Sequence, residues 1–392
     1  MFASLAFVFL FGLLGAAVFE KMKLPRIIGM LLVGILIGPY ALGLLDPTIL
    51  SISGDLRKLA LMLILLRAGL SLDLGDLKRV GRPAVMMAFV PATFEVLAVV
   101  LFAPMILGVT RVEAAVMGAV LGAVSPAVVV PRMVRLMEEG RGTKQGVPQM
   151  IMAGASCDDV YVIVLFSTFT RMAQGGGARL ADFAAVPISI VLGAAGGALC
   201  GWLLNRLFER RKAADTLRIM LTLAVGCLLI ALEGWLDGKI AFSGLLGVMG
   251  MAVMLRRKGD AARVQAVSAG IGRLWQAAEV MLFVLVGAAV DIRYTMQAGA
   301  GAVLLIALAL VIRSVGVALC VAGTRLTKKE RLFCVIAYLP KATVQAAIGA
   351  TPLAMGLPCG DLVLSVAVLA ILITAPLGAI GMDATAHRLL EK

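Results

Sequence analysis

Residues 118–131 read GAVLGAVSPAVVVP, a run apolar enough for a membrane helix but interrupted by Pro126 and Pro131. Proline lacks the main-chain N–H and clashes with the preceding turn, so a helix that contains it leaves carbonyl groups without partners. Residues 334–349, CVIAYLPKATVQAAIG, have a similar interruption at Pro340. The pattern predicts two helices broken in mid-membrane, with freed carbonyls that can coordinate a cation. The alternative is a structural kink whose freed groups are satisfied by neighbouring helices.

The composition is that of a polytopic membrane protein. Of the 392 residues, 61% are hydrophobic and 15% are charged, against roughly 45–50% and 25% in soluble globular domains. The six cysteines fall mostly in apolar runs, without the spacing of metal ligands or of a disulfide framework. The net charge of +13 comes mainly from basic loops, and nucleic-acid binding has no soluble basic surface to support it.

Apolar runs predict an all-α fold of about thirteen transmembrane helices, because a bilayer core of ~30 Å needs about 20 residues per helix. The expected spans are residues 2–19, 27–45, 56–72, 84–107, 112–130, 149–170, 183–205, 217–236, 240–255, 274–290, 301–323, 331–356 and 362–380. Short connections leave residues 1–392 as a single membrane domain. The first span lacks a basic stretch before it and a cleavage site after it, which argues against a signal peptide.

The distribution of Lys and Arg predicts the orientation. Basic residues concentrate in the odd-numbered connections, such as 210–212 and 256–258, and in the C-terminal segment. Because basic loops stay in the cytoplasm, we expect the N-terminus outside and the C-terminus inside.

An internal repeat relates the two halves of the chain. When residues 68–96 are aligned with residues 286–314, Glu95 and Arg313 occupy equivalent positions with opposite charges. The copies are offset by an odd number of spans, so one of them is inverted in the membrane. Inverted-topology repeats with broken crossing helices are typical of secondary transporters, which bind their ion near the midplane between the half-helices.

Asp158 and Asp159 lie side by side in an apolar span, within GASCDDVYVIVLF (residues 154–166). An intramembrane carboxylate costs at least ~2.5–3.5 kcal/mol and therefore indicates ion or proton handling. Neighbours on a helix point about 100° apart, so both can border one cavity without facing each other. Burial and a like charge favour the protonated form, and alkali cations prefer oxygen ligands. A proton and a cation are thus expected to compete for this pair.

The other buried charges have separate predicted roles. We expect Glu95 and Arg313 to form a structural ion pair that holds the two copies together, with direct gating of the ion site as the alternative. Lys341 differs from Arg313 because a buried ammonium can lose its proton. It is predicted to partner Asp158 and to release that carboxylate when the broken helix moves; alternatively it only balances the charge of the cavity.

Four stretches resemble a known family: LPRIIGMLLVGILIGP (24–39), GAVSPAVVVP (122–131), ASCDDV (155–160) and YLPKATVQAAIG (338–349). They are similar to motifs of the monovalent cation:proton antiporter superfamily, especially its bacterial NHA-like sodium/proton antiporters. The resemblance implies a homodimer with dimerisation and scaffold helices in residues 1–83 and 217–300. It also implies a transporting core in residues 84–172 and 301–380 and a linker region in residues 173–216.

The resemblance also implies roles for individual residues. Asp159 is expected to be the principal carrier of cation and proton, with Asp158 beside it and the unwound segment around Ser125 nearby. Ser156 and Thr343 complete the predicted set of sodium ligands. No cofactor is expected, because the cation and the proton are themselves the transported substrates.

Other classes of function fit the sequence less well. An intramembrane aspartyl protease needs two aspartates that face each other from different helices, which adjacent residues cannot do. An ion channel needs a continuous pore with multiple weak sites. A potassium/proton antiporter and a sodium-coupled organic-anion symporter stay open as alternatives. The sequence favours a sodium (or lithium)/proton antiporter of a bacterial inner membrane, with lipid and a second copy of the chain as its partners, and not an enzyme.

Overall fold

A computed structural model describes residues 1–71, 81–174, 180–210, 214–236 and 242–391, and within them it contains helices and no strands. The helices of the first half are α1 (Phe2–Lys21), α2 (Arg26–Ile37), α3 (Pro47–Ser51), α4 (Ser53–Ser71), α5 (Arg82–Met87), α6 (Val90–Leu107), α7 (Arg111–Leu121), α8 (Pro126–Glu138) and α9 (Val147–Ala173). The second half has α10 (Leu180–Arg210), α11 (Asp215–Leu236), α12 (Gly244–Lys258), α13 (Ala261–Ala288), α14 (Ile292–Val321), α15 (Lys328–Ala337), α16 (Thr343–Ile348), α17 (Thr351–Ala354) and α18 (Gly360–Leu389).

The chain is an all-α, multi-pass membrane protein, as predicted. Among the described residues, nine helical spans are long and apolar enough to cross a bilayer. Every predicted span overlaps a helix, but α2 has only 12 residues and α12 only 15. The predicted span 331–356 is divided among three short helices. The all-helical class is therefore confirmed, whereas the count of thirteen stays a prediction.

The two broken helices begin with the same local signal. Before α7, the main-chain N–H of Glu113 donates to the hydroxyl of Thr110 over 3.3 Å, and that of Thr110 donates to the Glu113 carboxylate over 2.8 Å. Thr327 and Glu330 form the same capping box at the start of α15. Such boxes satisfy N–H groups that have no partner inside the helix. Because α7 and α15 begin with the same capping box, the similarity between the two repeats continues beyond Glu95 and Arg313.

The prolines act differently at the two interruptions. Pro126 is the first residue of α8, a position where its missing N–H costs nothing. Pro340 lies in the non-helical segment between α15 and α16. Pro131 was predicted to break the helix, and this prediction is wrong because Pro131 lies inside the continuous α8. Its ring is on the exposed side of α8, where it removes a main-chain hydrogen bond without ending the helix.

The chain divides into two compact units. The larger contains Met1–Gly54, Asp73–Gly175 and Val280–Lys392. Within it, α7 packs on α6 and α9, α14 packs on α6, and α18 packs on α14, α15 and α8. This packing surrounds the two broken helices with long continuous ones.

The smaller unit contains Asp55–Leu72 and Gly176–Glu279, and glycines bring its helices α10 and α12 into backbone contact. A Cβ on Gly197 would overlap the backbone of Gly247. One turn away on either side, Gly201 meets the backbone of Met251 in α12 and Gly193 meets that of Ser243, directly before α12. Small residues at this spacing allow close helix packing in membranes. The predicted division into scaffold, linker and core helices stays a prediction.

Candidate functional site

The two broken helices meet at their interruptions. The main-chain N–H of Ser125 donates to the carbonyl of Pro340 over 2.8 Å. Gly122 to Ser125 separate α7 from α8, and Tyr338 to Ala342 separate α15 from α16. This main-chain hydrogen bond joins the breaks of the two repeats, and the charged side chains gather around this crossing.

Arg313 reaches both repeats from α14. Its Nη1 lies 2.7 Å from Oε2 of Glu95 and its Nη2 lies 3.1 Å from Oδ2 of Asp158. Nη1 also donates to the carbonyl of Gly122, and Nε donates to that of Tyr338 over 2.9 Å. Arg313 is fully buried, and Glu95 is 1% exposed. The predicted Glu95–Arg313 contact is present, but the guanidinium also holds Asp158.

Lys341 lies in a different place from the one predicted. Its ammonium forms an ion pair with Glu95 and donates to the carbonyl of Leu121 over 2.6 Å. Its main-chain N–H donates to the hydroxyl of Thr374 over 2.8 Å. The expectation that Lys341 partners Asp158 is therefore corrected: the partner of that carboxylate is Arg313. Glu95 is shared by the two cations.

The carbonyls at the end of α7 are not free to bind a cation in this structure. The last carbonyls of a helix lack partners within it, and this end carries the negative pole of the helix dipole. Lys341 donates to the carbonyl of Leu121, Arg313 to that of Gly122, and Gln345 to that of Ala123 over 2.9 Å. Two cations and one amide from the second repeat thus cap the broken helix of the first. The expectation that these carbonyls coordinate a cation is corrected accordingly.

The two adjacent aspartates have different surroundings. Oδ2 of Asp158 accepts from the main-chain N–H of Val124 over 2.8 Å and from Arg313, while its Oδ1 has no partner. Asp159 is 2% exposed, and its Oδ1 also lacks a partner. Within the described part of the chain, Asp159 forms no ion pair. Glu95, Asp158, Arg313 and Lys341 are joined by ion pairs and form what we call the charge cluster. Asp159 is an additional carboxylate beside it.

Further buried oxygens near the crossing have no hydrogen-bond partner within the described ranges. Ser125 Oγ, at the first break, and Thr343 Oγ1, at the start of α16, are among the buried side-chain atoms without a hydrogen bond. The hydroxyl of Tyr338 belongs to the same group. Ser156 lies in α9, but its side chain is outside the described residues. Hydroxyl and carboxylate oxygens suit a hard alkali cation, so the donor set fits sodium as a transported substrate.

The charges of the cluster balance. Arg313 and Lys341 supply two positive charges, and Glu95 and Asp158 supply two negative charges, all joined by the ion pairs described above. A buried ion pair is tolerated only when such partners and hydrogen bonds are in place. Asp159 is not part of this balance. Whether its carboxyl group is ionised or neutralised therefore determines the net charge around the crossing.

Sequence reasoning missed Tyr338 and Gln345. The ring of Tyr338 lies 5.6 Å from Cζ of Arg313, within reach of a cation–π contact, and a Cβ on Gly154 would overlap the Tyr338 hydroxyl. Gln345 occupies the third position of α16, where Gln often bonds the helix start. Both were hidden because the end of the break, and hence the start of α16, cannot be located from the sequence.

The sequence matches the family described as "Sodium/hydrogen exchanger, transmembrane" over residues 5–386. It is 34% identical to human sodium/hydrogen exchanger 9B2 over 381 residues, which cover 94% of this chain and 70% of that protein. It is 32% identical to human sodium/hydrogen exchanger 9B1, over 87% of this chain and 67% of that protein.

The fold is similar to that of the sodium proton antiporter MjNhaP1 from Methanocaldococcus jannaschii. The TM-score is 0.85 at 21% sequence identity, and the match covers 98% of this chain and 97% of the other. The family match covers nearly the whole sequence and includes both broken helices. The chain therefore belongs to the transmembrane sodium/hydrogen exchanger family, whose members are secondary transporters and not enzymes.

Proposed function

We propose that this protein exchanges sodium, or lithium, for protons by alternating access, with Asp159 as the group that carries either ion. The observation that carries the proposal is the position of Asp159. It is a buried carboxylate without an ion-pair partner in the described residues, next to a charge cluster that is balanced without it. The family membership and the names of the relatives support the same activity.

The charge balance of the cluster couples sodium transport to proton transport. Arg313 keeps its proton at any physiological pH, and its contact with Asp158 stabilises that aspartate in the charged form. An empty, ionised Asp159 leaves one uncompensated negative charge in a membrane, which is costly. Either a proton or a sodium ion removes that charge. The site therefore moves across the membrane when loaded and poorly when empty, which is the requirement for obligate exchange.

The sodium ligands that we propose are mainly oxygens without hydrogen-bond partners among the residues that the structure describes. Oδ1 of Asp159, Oδ1 of Asp158, Oγ of Ser125 and Oγ1 of Thr343 are all buried and unbonded. Ser156 is added to this set from its place beside the aspartates in the sequence. The ammonium of Lys341 lies on Glu95 and leaves the aspartates to the arriving cation.

The setting that we propose follows the sequence expectations. Two copies of the chain associate through residues 1–83 and 217–300, and the core of residues 84–172 and 301–380 moves against them, connected by residues 173–216. The N-terminus lies outside and the C-terminus lies in the cytoplasm, because the basic connections stay inside. The membrane is the inner membrane of a bacterium.

The test is Asp159→Asn in purified protein reconstituted into vesicles that contain a pH-sensitive dye. The substitution removes the titrating charge at nearly constant volume, so we expect no sodium- or lithium-dependent proton movement from folded protein. Asp361→Asn is the matched control, since Asp361 lies in the first turn of α18 outside the cluster, and it should exchange like the unmodified chain. Sodium-dependent proton movement in the Asp159→Asn protein would contradict the proposal. A series of sodium, lithium and potassium in the same assay determines the cation.

A further inference from the structure

Gln345 connects the two broken helices through its side chain. It is fully buried, and its Nε2 donates to the carbonyl of Ala123 over 2.9 Å and to that of Leu121 over 3.3 Å. Its Oε1 accepts from the main-chain N–H of Ala342 over 2.8 Å. All the hydrogen-bonding groups of one amide are thus directed at main-chain atoms of the two breaks.

These bonds join opposite helix ends. The carbonyl of Leu121 is at the end of α7, which carries partial negative charge, and that of Ala123 lies two residues beyond it. The N–H of Ala342 precedes α16, whose start carries partial positive charge. An amide matches both ends because it donates and accepts at the same time. A third cation in this place would unbalance the charges of the cluster. A hydrocarbon side chain would leave the carbonyl of Ala123 and the main-chain N–H of Ala342 without the bonds that Gln345 makes to them.

The amide shares a partner with Lys341. The carbonyl of Leu121 accepts from Lys341 Nζ as well as from Gln345 Nε2, and Ala342, which Gln345 holds, follows Lys341 in the chain. Thr343, with its unbonded hydroxyl, is the next residue. The position of Gln345 therefore sets the geometry of the segment that carries both the ammonium and the hydroxyl.

We propose that Gln345 is a positioning residue for cation binding. By holding the segment from Lys341 to Thr343 against the end of α7, it keeps Lys341 on Glu95 and the Thr343 hydroxyl in its place at the start of α16. Gln345 itself contacts main-chain atoms and acts on the cation through these neighbours. This inference rests on the proposed sodium/proton exchange.

The experiment compares Gln345→Met with Gln149→Leu in reconstituted vesicles. Methionine keeps the unbranched shape and removes the hydrogen bonds. Gln149 provides the control because it lies in α9 and its Oε1 has no hydrogen-bond partner among the described residues. Its replacement therefore removes no comparable contact between the two broken helices. We expect Gln345→Met to raise the KM for sodium about tenfold, the equivalent of one lost buried hydrogen bond, with a smaller change in kcat. The control should keep the KM of the unmodified chain.

If Gln345 only stabilises the fold, the same experiment gives a different result. The substitution would lower the melting temperature and the yield while leaving the KM of the folded fraction unchanged, and that outcome would overturn the inference. If Gln345→Met does not fold, Gln345→Asn decides by the same comparison, because it keeps a neutral amide that is one methylene too short to reach the same main-chain partners. An absence of exchange in the unmodified chain would instead overturn the proposed function, so the two failures are distinguishable.

Discussion

Nη2 of Arg313 lies 3.1 Å from Oδ2 of Asp158, whereas the next residue, Asp159, has no ion pair among the residues that the structure describes. Two chemically identical side chains at successive positions thus have different electrostatic environments. One is compensated by a cation that cannot be deprotonated. In the exchange that we propose, the other is compensated by a sodium ion or a proton.

The first prediction concerns stoichiometry. If Asp158 stays paired with Arg313 and only Asp159 exchanges its ion, one proton moves for each sodium ion and no net charge crosses the membrane. We expect exchange rates in vesicles to be the same with and without a potassium diffusion potential imposed by an ionophore. Rates that follow the imposed potential would show that a second group titrates, and Lys341→Gln would then identify whether it is the ammonium.

The second prediction concerns proton release. Because sodium and a proton compete for Asp159, adding sodium to weakly buffered, detergent-solubilised protein should release protons, and Asp159→Asn should release none. Lowering the pH populates the protonated carboxyl, so the sodium concentration for half-maximal release should rise as the pH falls. Sodium uptake measured by calorimetry without proton release would contradict competition at a shared group.

The third prediction concerns the buried ion pairs. Arg313→Ala leaves Glu95 and Asp158 with one cation fewer, and breaking a buried pair in this way typically costs about 3–5 kcal/mol. We expect a lower melting temperature for Arg313→Ala and partial recovery in the double variant Glu95→Gln with Arg313→Gln. Additive effects in a double-mutant cycle would mean that the two residues are not coupled. Because Glu95 also holds Lys341, recovery should be incomplete.

The fourth prediction concerns the glycine contact of the smaller unit. A Cβ on Gly197 would overlap the backbone of Gly247, so Gly197→Ala should force α10 and α12 apart at a cost of about 1–3 kcal/mol. Gly272→Ala is the control, since a Cβ there meets no atom within 4 Å. In thermal unfolding experiments in detergent, we expect a lower melting temperature for Gly197→Ala than for Gly272→Ala. Equal melting temperatures would argue against a tight α10–α12 contact.

Much of the fold follows from the sequence because it depends on patterns that local chemistry determines. Apolar runs predict membrane helices, and prolines in mid-span predict the interruptions. The alignment of the two repeats places opposite charges at Glu95 and Arg313, which predicts that they pair. These features need no knowledge of how a side chain leaves its helix.

The details of the site depend on side-chain direction in the breaks, which the sequence does not determine. The sequence predicts Lys341 as the partner of Asp158, but the non-helical backbone after Pro340 places its ammonium on Glu95 and the carbonyl of Leu121. Pro131 was read as a break, although a helix can continue past one proline. Gln345 went unnoticed because an amide in an apolar run has no evident partner until the carbonyls at the end of α7 are located.

The capping boxes have a consequence for how the protein is made. Each broken helix begins with hydrogen bonds between close neighbours, Thr110 with Glu113 and Thr327 with Glu330, so its start can form as soon as that segment leaves the ribosome. The inner end of α7 finds its donors only in Arg313, Lys341 and Gln345, which are synthesised much later. The carbonyls at the end of α7 and the carboxylates of Glu95 and Asp158 therefore acquire these partners only after the second repeat has been synthesised.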